Sequence, residues 1–168
     1  AHQFTIHRDI KPENIMVGQD GSIKLMDFGI SKLMTHTSMT AASMVMGTPY
    51  YMSPEQLKDS SSVDARADIY SVGVVLYEML TSSLPTGVLK PASQILREVP
   101  PALDPIVAKC VEPDPNNRYA SATELREALR PIRELIEAGT DPGTIGTGGS
   151  RAKTGTLRRV VGALVVAA

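Results

Sequence analysis

The sequence predicts a mainly α fold with one small β-hairpin, an α+β class. Three observations carry this. Residues 68–80, "DIYSVGVVLYEML", are apolar nearly all round, the pattern of a helix covered on most sides. Ser121 and Glu124 stand at capping-box spacing before "LREALRPIRELIEAG", which opens another helix. Two short apolar runs, 15–17 and 23–26, flank the turn formers Gly18, Gln19, Asp20 and Gly21 and read as a hairpin.

Composition fits a folded domain with a real core: 168 residues, 42% apolar and 21% charged. The net charge of −1 gives no basis for broad attachment to nucleic acid. Cys110 is the single cysteine, which excludes an intrachain disulfide or a cysteine-based zinc site and suits a reducing compartment. It lies among apolar helix residues and reads as core. His2 and His36 have no partners at metal-ligand spacing. "AHQFT" has neither the basic start nor the apolar run of a signal peptide.

Taken in order, the hairpin is followed by a Ser-, Thr- and Met-rich loop over 30–45 and then by "GTPYYMSPEQL", punctuated by two prolines. The buried helix of 68–80 comes next. "PPALDPIVAKCVE" reads as one further helix, stopped before Pro113, and Pro131 is expected to kink or divide the last one. Beyond it, residues 138–157 form a flexible linker dominated by Gly and Thr. "GTGGS" within it lacks the spacing of a phosphate loop. Every residue from 160 to 168 is apolar or glycine, with Arg158 and Arg159 in front and Arg151 and Lys153 upstream. This reads as the start of a truncated transmembrane helix over 158–168, its basic flank on the cytoplasmic side. A short C-terminal strand or core segment is the alternative.

The hairpin also predicts a site. Asn14 lies just before its first strand and Asp27 just after its second, and antiparallel strands bring those two ends together. Asp9 and Lys11 lie in the loop entering the same end, within "HRDIKPEN". An amide oxygen and carboxylates, completed by water and phosphate, suit Mg²⁺; a nearby lysine and a spare carboxylate suit phosphoryl transfer.

"HRDIKPEN" resembles the catalytic loop of eukaryotic-type protein kinases, "DFG" (Asp27, Phe28, Gly29) resembles their metal-binding motif, and "SPE" (Ser53, Pro54, Glu55) resembles the "APE" closing the activation segment. "YMSPEQ", "ARADIYSVGVVLYEMLT" and "PALDPIVAKCVEPDPNNRY" are similar to bacterial receptor-like serine/threonine kinases, which are membrane-anchored. The resemblance implies a large, C-terminal kinase lobe over 1–137. It implies transfer of the ATP γ-phosphoryl group to Ser or Thr hydroxyls of proteins, with Mg²⁺ or alternatively Mn²⁺.

By the same resemblance Asp9 is the base that accepts or orients the hydroxyl proton, and Lys11 steadies the γ-phosphate. Asn14 and Asp27 are the metal ligands. Glu13 lies near the ribose, Met16 floors the adenine pocket, and Thr48 bonds toward Asp9 and Lys11. Glu55 with Arg118 resembles a buried scaffold ion pair, Asp68 the residue holding the catalytic-loop backbone, and His7 with Phe28 a spine under the site. Arg8 resembles the arginine that pairs with a phosphate on the activation loop, where Thr35, Thr37, Ser38, Thr40 and Ser43 are candidates; Thr37, Ser38 or Thr40 is the expected autophosphorylation site.

No Gly-rich loop and no "VAIK" strand lysine is present, so the small lobe is absent, and the chain is expected to be a fragment inactive by itself. Implied partners are ATP, protein substrates and the plasma membrane, with a cytoplasmic kinase domain and a dimer of the parent as a further option. The rival class is a pseudokinase, a scaffold or binding module without transfer activity.

Overall fold

A computed structural model of the chain describes residues 6–27, 49–59 and 63–137. The predicted loop of 30–45, the linker and the apolar tail lie outside these residues, as do Phe28 and Thr48. The described part is mainly helical with one two-stranded antiparallel sheet.

Strands β1 (Ile15–Val17) and β2 (Ile23–Leu25) pair Ile15 with Leu25, Met16 with Lys24 and Val17 with Ile23. The turn closes through Gly18 N–H to the Ser22 carbonyl at 2.7 Å, and Gly21 turns the chain at φ 82°, a conformation glycine adopts without a Cβ penalty. Ladder pairing stops at Leu25, one residue short of the predicted run. Met26 N–H still donates to the Asn14 carbonyl at 2.8 Å.

Among the described residues five α-helices follow: α1 (Pro54–Lys58), α2 (Arg66–Thr81), α3 (Ala92–Ile95), α4 (Asp104–Cys110) and α5 (Ala122–Glu137). Helix α1 starts with a complete capping box: Ser53 accepts the Gln56 N–H, and the Gln56 side chain accepts the Ser53 N–H. Helix α2 begins two residues before the predicted stretch, where the Asp64 carboxylate accepts the Arg66 N–H at 2.8 Å. It ends at Ser82 in the left-handed region.

Helix α2 is the axis of the core, which explains its nearly unbroken apolar sequence. Ile69, Leu76, Tyr77 and Leu80 join Leu103, Ile106, Val107 and Cys110 on one side, together with Leu125, Leu129 and Ile132 of α5. Val74 and Val75 form a second cluster with Ile10 and Tyr51, beneath the predicted catalytic loop. Each fully buried leucine (Leu76, Leu103, Leu125, Leu129) is worth about 2 kcal/mol. At Gly73 the absent side chain matters, because a Cβ there would stand 2.4 Å from the Cys110 Cβ. Helices α2 and α4 are therefore closer than any side chain at 73 permits.

Three predictions are corrected in detail. The helix read from "PPALDPIVAKCVE" is a 3₁₀ turn (Pro101–Leu103) running into α4, since Pro101 and Pro105 each set a first turn. Helix α5 runs through Pro131 as one element, which sets aside the alternative of a divided helix and leaves that of a kinked one. At its start Ser121 Oγ accepts the Glu124 N–H as predicted, but the Glu124 carboxylate takes the N–H of Ala120, not that of Ser121.

Candidate active site

The site begins with a backbone held from below. The partly buried Asp68 of α2 accepts the N–H of His7 at 2.8 Å through one oxygen and that of Arg8 at 2.8 Å through the other. Arg8 adopts φ 64°, a left-handed conformation that costs a non-glycine residue about 1–2 kcal/mol. Hydrogen bonds to a charged acceptor contribute about 1.5–3 kcal/mol each, so the Asp68 contacts outweigh that strain. Burial pushes the Asp68 carboxyl above its ordinary range, and the two amides only partly offset it. From above, Gln56 of α1 donates to the Arg8 carbonyl at 3.0 Å.

His7 is buried beneath this loop, and its Nε2 lies 3.0 Å from the Met26 carbonyl. The Asp9 N–H points to His7 Nδ1 at 3.4 Å. Both contacts are met when Nε2 carries the proton and Nδ1 accepts. One ring thereby links the loop at Asp9 to the residue preceding Asp27.

The polar face is built on Asn14, which is buried. It ends the 3₁₀ turn Pro12–Asn14, set up by Pro12 at the first position. Its Nδ2 donates to the Asp9 carbonyl at 2.7 Å and to Asp9 Oδ2 at 3.0 Å. Those two acceptors fix the amide's orientation, so Oδ1 is the atom a cation would meet. Lys11 Nζ lies 3.1 Å from the same Asp9 Oδ2. That pair is partly exposed, and its role is placement, since solvent screening leaves little net stabilisation.

Asp27 follows β2, next to the Met26–Asn14 backbone bond, and is itself in the left-handed region at φ 53°. Asp9, Lys11, Asn14 and the Asp27 backbone therefore converge at the root of the hairpin, as the sequence predicts. Glu13 is exposed on the 3₁₀ turn, and Met16 is 55% exposed on β1 opposite Lys24.

The donor set fits a hard divalent cation. An amide oxygen and a carboxylate are oxygen ligands of the kind Mg²⁺ takes alongside water and phosphate. Among the described residues no three His, Cys, Asp or Glu side chains are grouped to hold a metal by themselves.

Two contributors were missed by sequence reasoning. Gln56 was detectable as the fourth residue of a Ser-x-x-Gln capping box, although its reach to Arg8 was not. Tyr51 is buried and donates to Glu78 Oε2 at 2.6 Å, while Ser71 Oγ donates to the Tyr51 carbonyl at 2.7 Å. Burial and the carboxylates of Glu78 and Glu13 push its phenol up. These bonds fasten the segment around the 3₁₀ turn Pro49–Tyr51 onto α2, beside the loop.

The scaffold pair also forms. Arg118 is fully buried and binds Glu55 through both guanidinium nitrogens.

Comparison with known proteins agrees with this geometry. A family model described as "Protein kinase domain" matches residues 2–129. The serine/threonine-protein kinase PknB of Mycolicibacterium smegmatis is 41% identical over 151 residues, covering 80% of this chain and 24% of that protein. PknL of Mycobacterium tuberculosis is 39% identical over 145 residues, covering 78% and 36%. Among solved structures, the kinase domain of Mycobacterium tuberculosis PknI superposes with a TM-score of 0.56 at 26% identity, over 76% of this chain and 47% of that one. The chain thus spans well under half the length of these curated relatives.

Proposed function

The chain belongs to the protein kinase domain family, and from that premise we propose that it carries the large-lobe half of a serine/threonine kinase active site. The observation that carries this is Asn14, whose side-chain Nδ2 donates to Asp9 while its backbone carbonyl accepts the N–H of Met26, the residue before Asp27. The base and both metal ligands are then set by one residue.

In this reading Asp9 orients the Ser or Thr hydroxyl of a protein substrate and takes up its proton. Lys11 steadies the terminal phosphate and keeps its charge beside Asp9 between turnovers. Asn14 through Oδ1 and Asp27 through its carboxylate would hold Mg²⁺, or Mn²⁺ in its place. The ion, when bound, offsets negative charge on the ATP phosphates. Glu13 faces the ribose, the exposed Met16 meets the adenine, and Thr48 bonds toward Asp9 and Lys11. Asp68, His7 and Gln56 hold the loop on which these groups stand.

The wider organisation is proposed on the same basis. Residues 1–137 form the lobe, 138–157 a linker, and 158–168 the start of a membrane helix that anchors a cytoplasmic kinase domain. Among the described residues no helix is long and apolar enough to cross a membrane, and 158–168 lie outside them. Arg8 would receive a phosphate carried by Thr37, Ser38 or Thr40. Dimerisation of the parent protein is a further part of the reading.

The test is phosphoryl transfer from radiolabelled ATP to a Ser/Thr-rich protein by the intact protein with its natural flanking sequence. Transfer is expected, with loss of about 10²–10⁴-fold in Asp9→Ala. Nucleotide binding with no transfer would instead assign a pseudokinase scaffold.

A further inference from the structure

Between Ser82 and Glu98 the chain touches the core through few residues: Ala92, with Leu84 and Leu89 packed against its edge. Within this stretch only Ala92 is buried, and the core resumes at Val99. Alanine carries the smallest apolar side chain, so its anchorage is weak. Two positions lie at left-handed φ, Ser82 at 56° and Gly87 at 69°, and both mark changes of chain direction. A half-open pocket of about 230 Å³ is lined by Leu89, Pro91 and Ala92 of this stretch together with Tyr77 of α2 and Val107 of α4.

One carboxylate closes the rim. Asp104, the first residue of α4, also lines the cavity. It accepts the Ser93 N–H at 3.0 Å through one oxygen and the Ser93 hydroxyl through the other. Helix α3 has no side-chain cap at Pro91, so Asp104 supplies its cap from a different element.

We infer that residues 82–98 form a hinged flap over this cavity and that Asp104 is the latch, acting through Ser93. With both bonds made, α3 rests against the start of α4. With them broken, the flap pivots between Ser82 and Val99 and opens the cavity. The mutual packing of α2, α4 and α5 is then kept, and the core gives up Ala92 and the partly buried Leu84 and Leu89. Such a segment is a separate, low-stability opening unit of the fold. This inference is independent of the proposed catalytic role.

Hydrogen exchange of the intact protein, followed peptide by peptide, tests it. Ser93→Ala is expected to speed exchange over 88–96 by about tenfold or more, while α5 stays within about twofold of the parent. Asp104→Ala should do the same or more, and the double variant should exchange no faster than Asp104→Ala, which already removes both the hydroxyl bond lost in Ser93→Ala and the bond to the Ser93 N–H. Unchanged flap exchange in Ser93→Ala, equal acceleration across α5, or additive effects in the double variant would overturn the latch. If Asp104→Ala loses protection throughout, Ser93→Ala alone decides, because it leaves the α4 carboxylate in place.

Discussion

Arg118 holds Glu55 through two parallel hydrogen bonds, 2.6 Å to Oε1 and 2.8 Å to Oε2, across 63 positions of sequence. The guanidinium also donates to the carbonyls of Glu112, Pro113 and Arg66, and it lies 5.0 Å from the Tyr70 ring centre. Every face of the buried cation is therefore satisfied. Replacing Arg118 strands a largely buried carboxylate and three carbonyls at once. Arg118→Ala is expected to cost about 3–5 kcal/mol in urea unfolding. Arg118→Lys should recover little of this, because an ammonium cannot bind bidentately.

The same pair sets the response to acid. Burial opposes ionisation of Glu55, but the hydrogen bonds from Arg118, from its own backbone N–H and from Ser53, with the charge of Arg118, together outweigh it and hold the carboxyl below its ordinary value. A lowered carboxyl adds stability above its unfolded pKa and loses it as pH falls through the folded one. Asp68 has the opposite sign: burial raises it, so its contribution is present at low pH and fades as pH rises. Thermal melts in acid should therefore show Glu55→Gln flattening the loss of stability below about pH 4.3. Asp68→Asn should leave that limb in place; a flattened limb in Asp68→Asn alone would refute the assignment.

Asp68→Asn has a separate consequence at neutral pH. One of the two loop amides would then face an N–H donor in place of a carboxylate oxygen. Stability should fall by about 1–3 kcal/mol. Under the proposed kinase reading, kcat should fall more than the KM for ATP, because Asp68 supports the loop and touches no substrate. An equal rise in KM with kcat unchanged would count against that role.

Asn14→Asp separates geometry from charge. It keeps the size of the side chain but places a carboxylate about 3 Å from Asp9 Oδ2, where Nδ2 now donates. Like charges that close repel and a divalent cation relieves the repulsion, so under the proposed kinase reading half-saturation should shift to lower Mg²⁺ concentration, while activity at neutral pH should fall because the Asp9 side chain loses its Nδ2 donor. Titrating Mg²⁺ in the assay, or isothermal titration of Mg²⁺ with nucleotide present, measures the change.

Gly73→Ala is expected to destabilise by about 1–3 kcal/mol, since the added methyl meets the Cys110 Cβ and lies 3.0 Å from Val111 Cγ1. The gain in helix propensity, about 1 kcal/mol, does not compensate. Cys110→Ala should give no rescue, because its Cβ remains. Cys110 itself is buried and its thiol is pushed up to about 12, so alkylating reagents should not label it before unfolding.

Much of this was legible because the sequence carries it locally. The hairpin runs, the apolar stretch of α2 and the Ser121 cap are each set within a few neighbours, and the structure shows all three. Helices α1 and α3 have five and four residues, too short to display a period, and were not anticipated. Pro131 does not divide α5, which is also held by Leu125, Leu129 and Ile132 in the core. At the site, the residue types and the approach of Asn14 to Asp27 could be argued from strand pairing. The Asn14–Asp9 bond, the Gln56 contact and the Tyr51–Glu78 bond depend on tertiary placement that no spacing encodes.

The hairpin's root and tip face different tolerances to insertion and deletion. The backbone bond from Met26 to Asn14 measures off the distance between the two arms at their base, and nothing at the tip enters that measurement. Residues can be gained or lost between Gly18 and Gly21 without moving Asp27 relative to Asn14. A single insertion between Asn14 and Ile15, or between Leu25 and Asp27, shifts one arm by a residue and turns its side chains to the opposite face. Length variation in this element should therefore gather at residues 18–21 and be absent from its base.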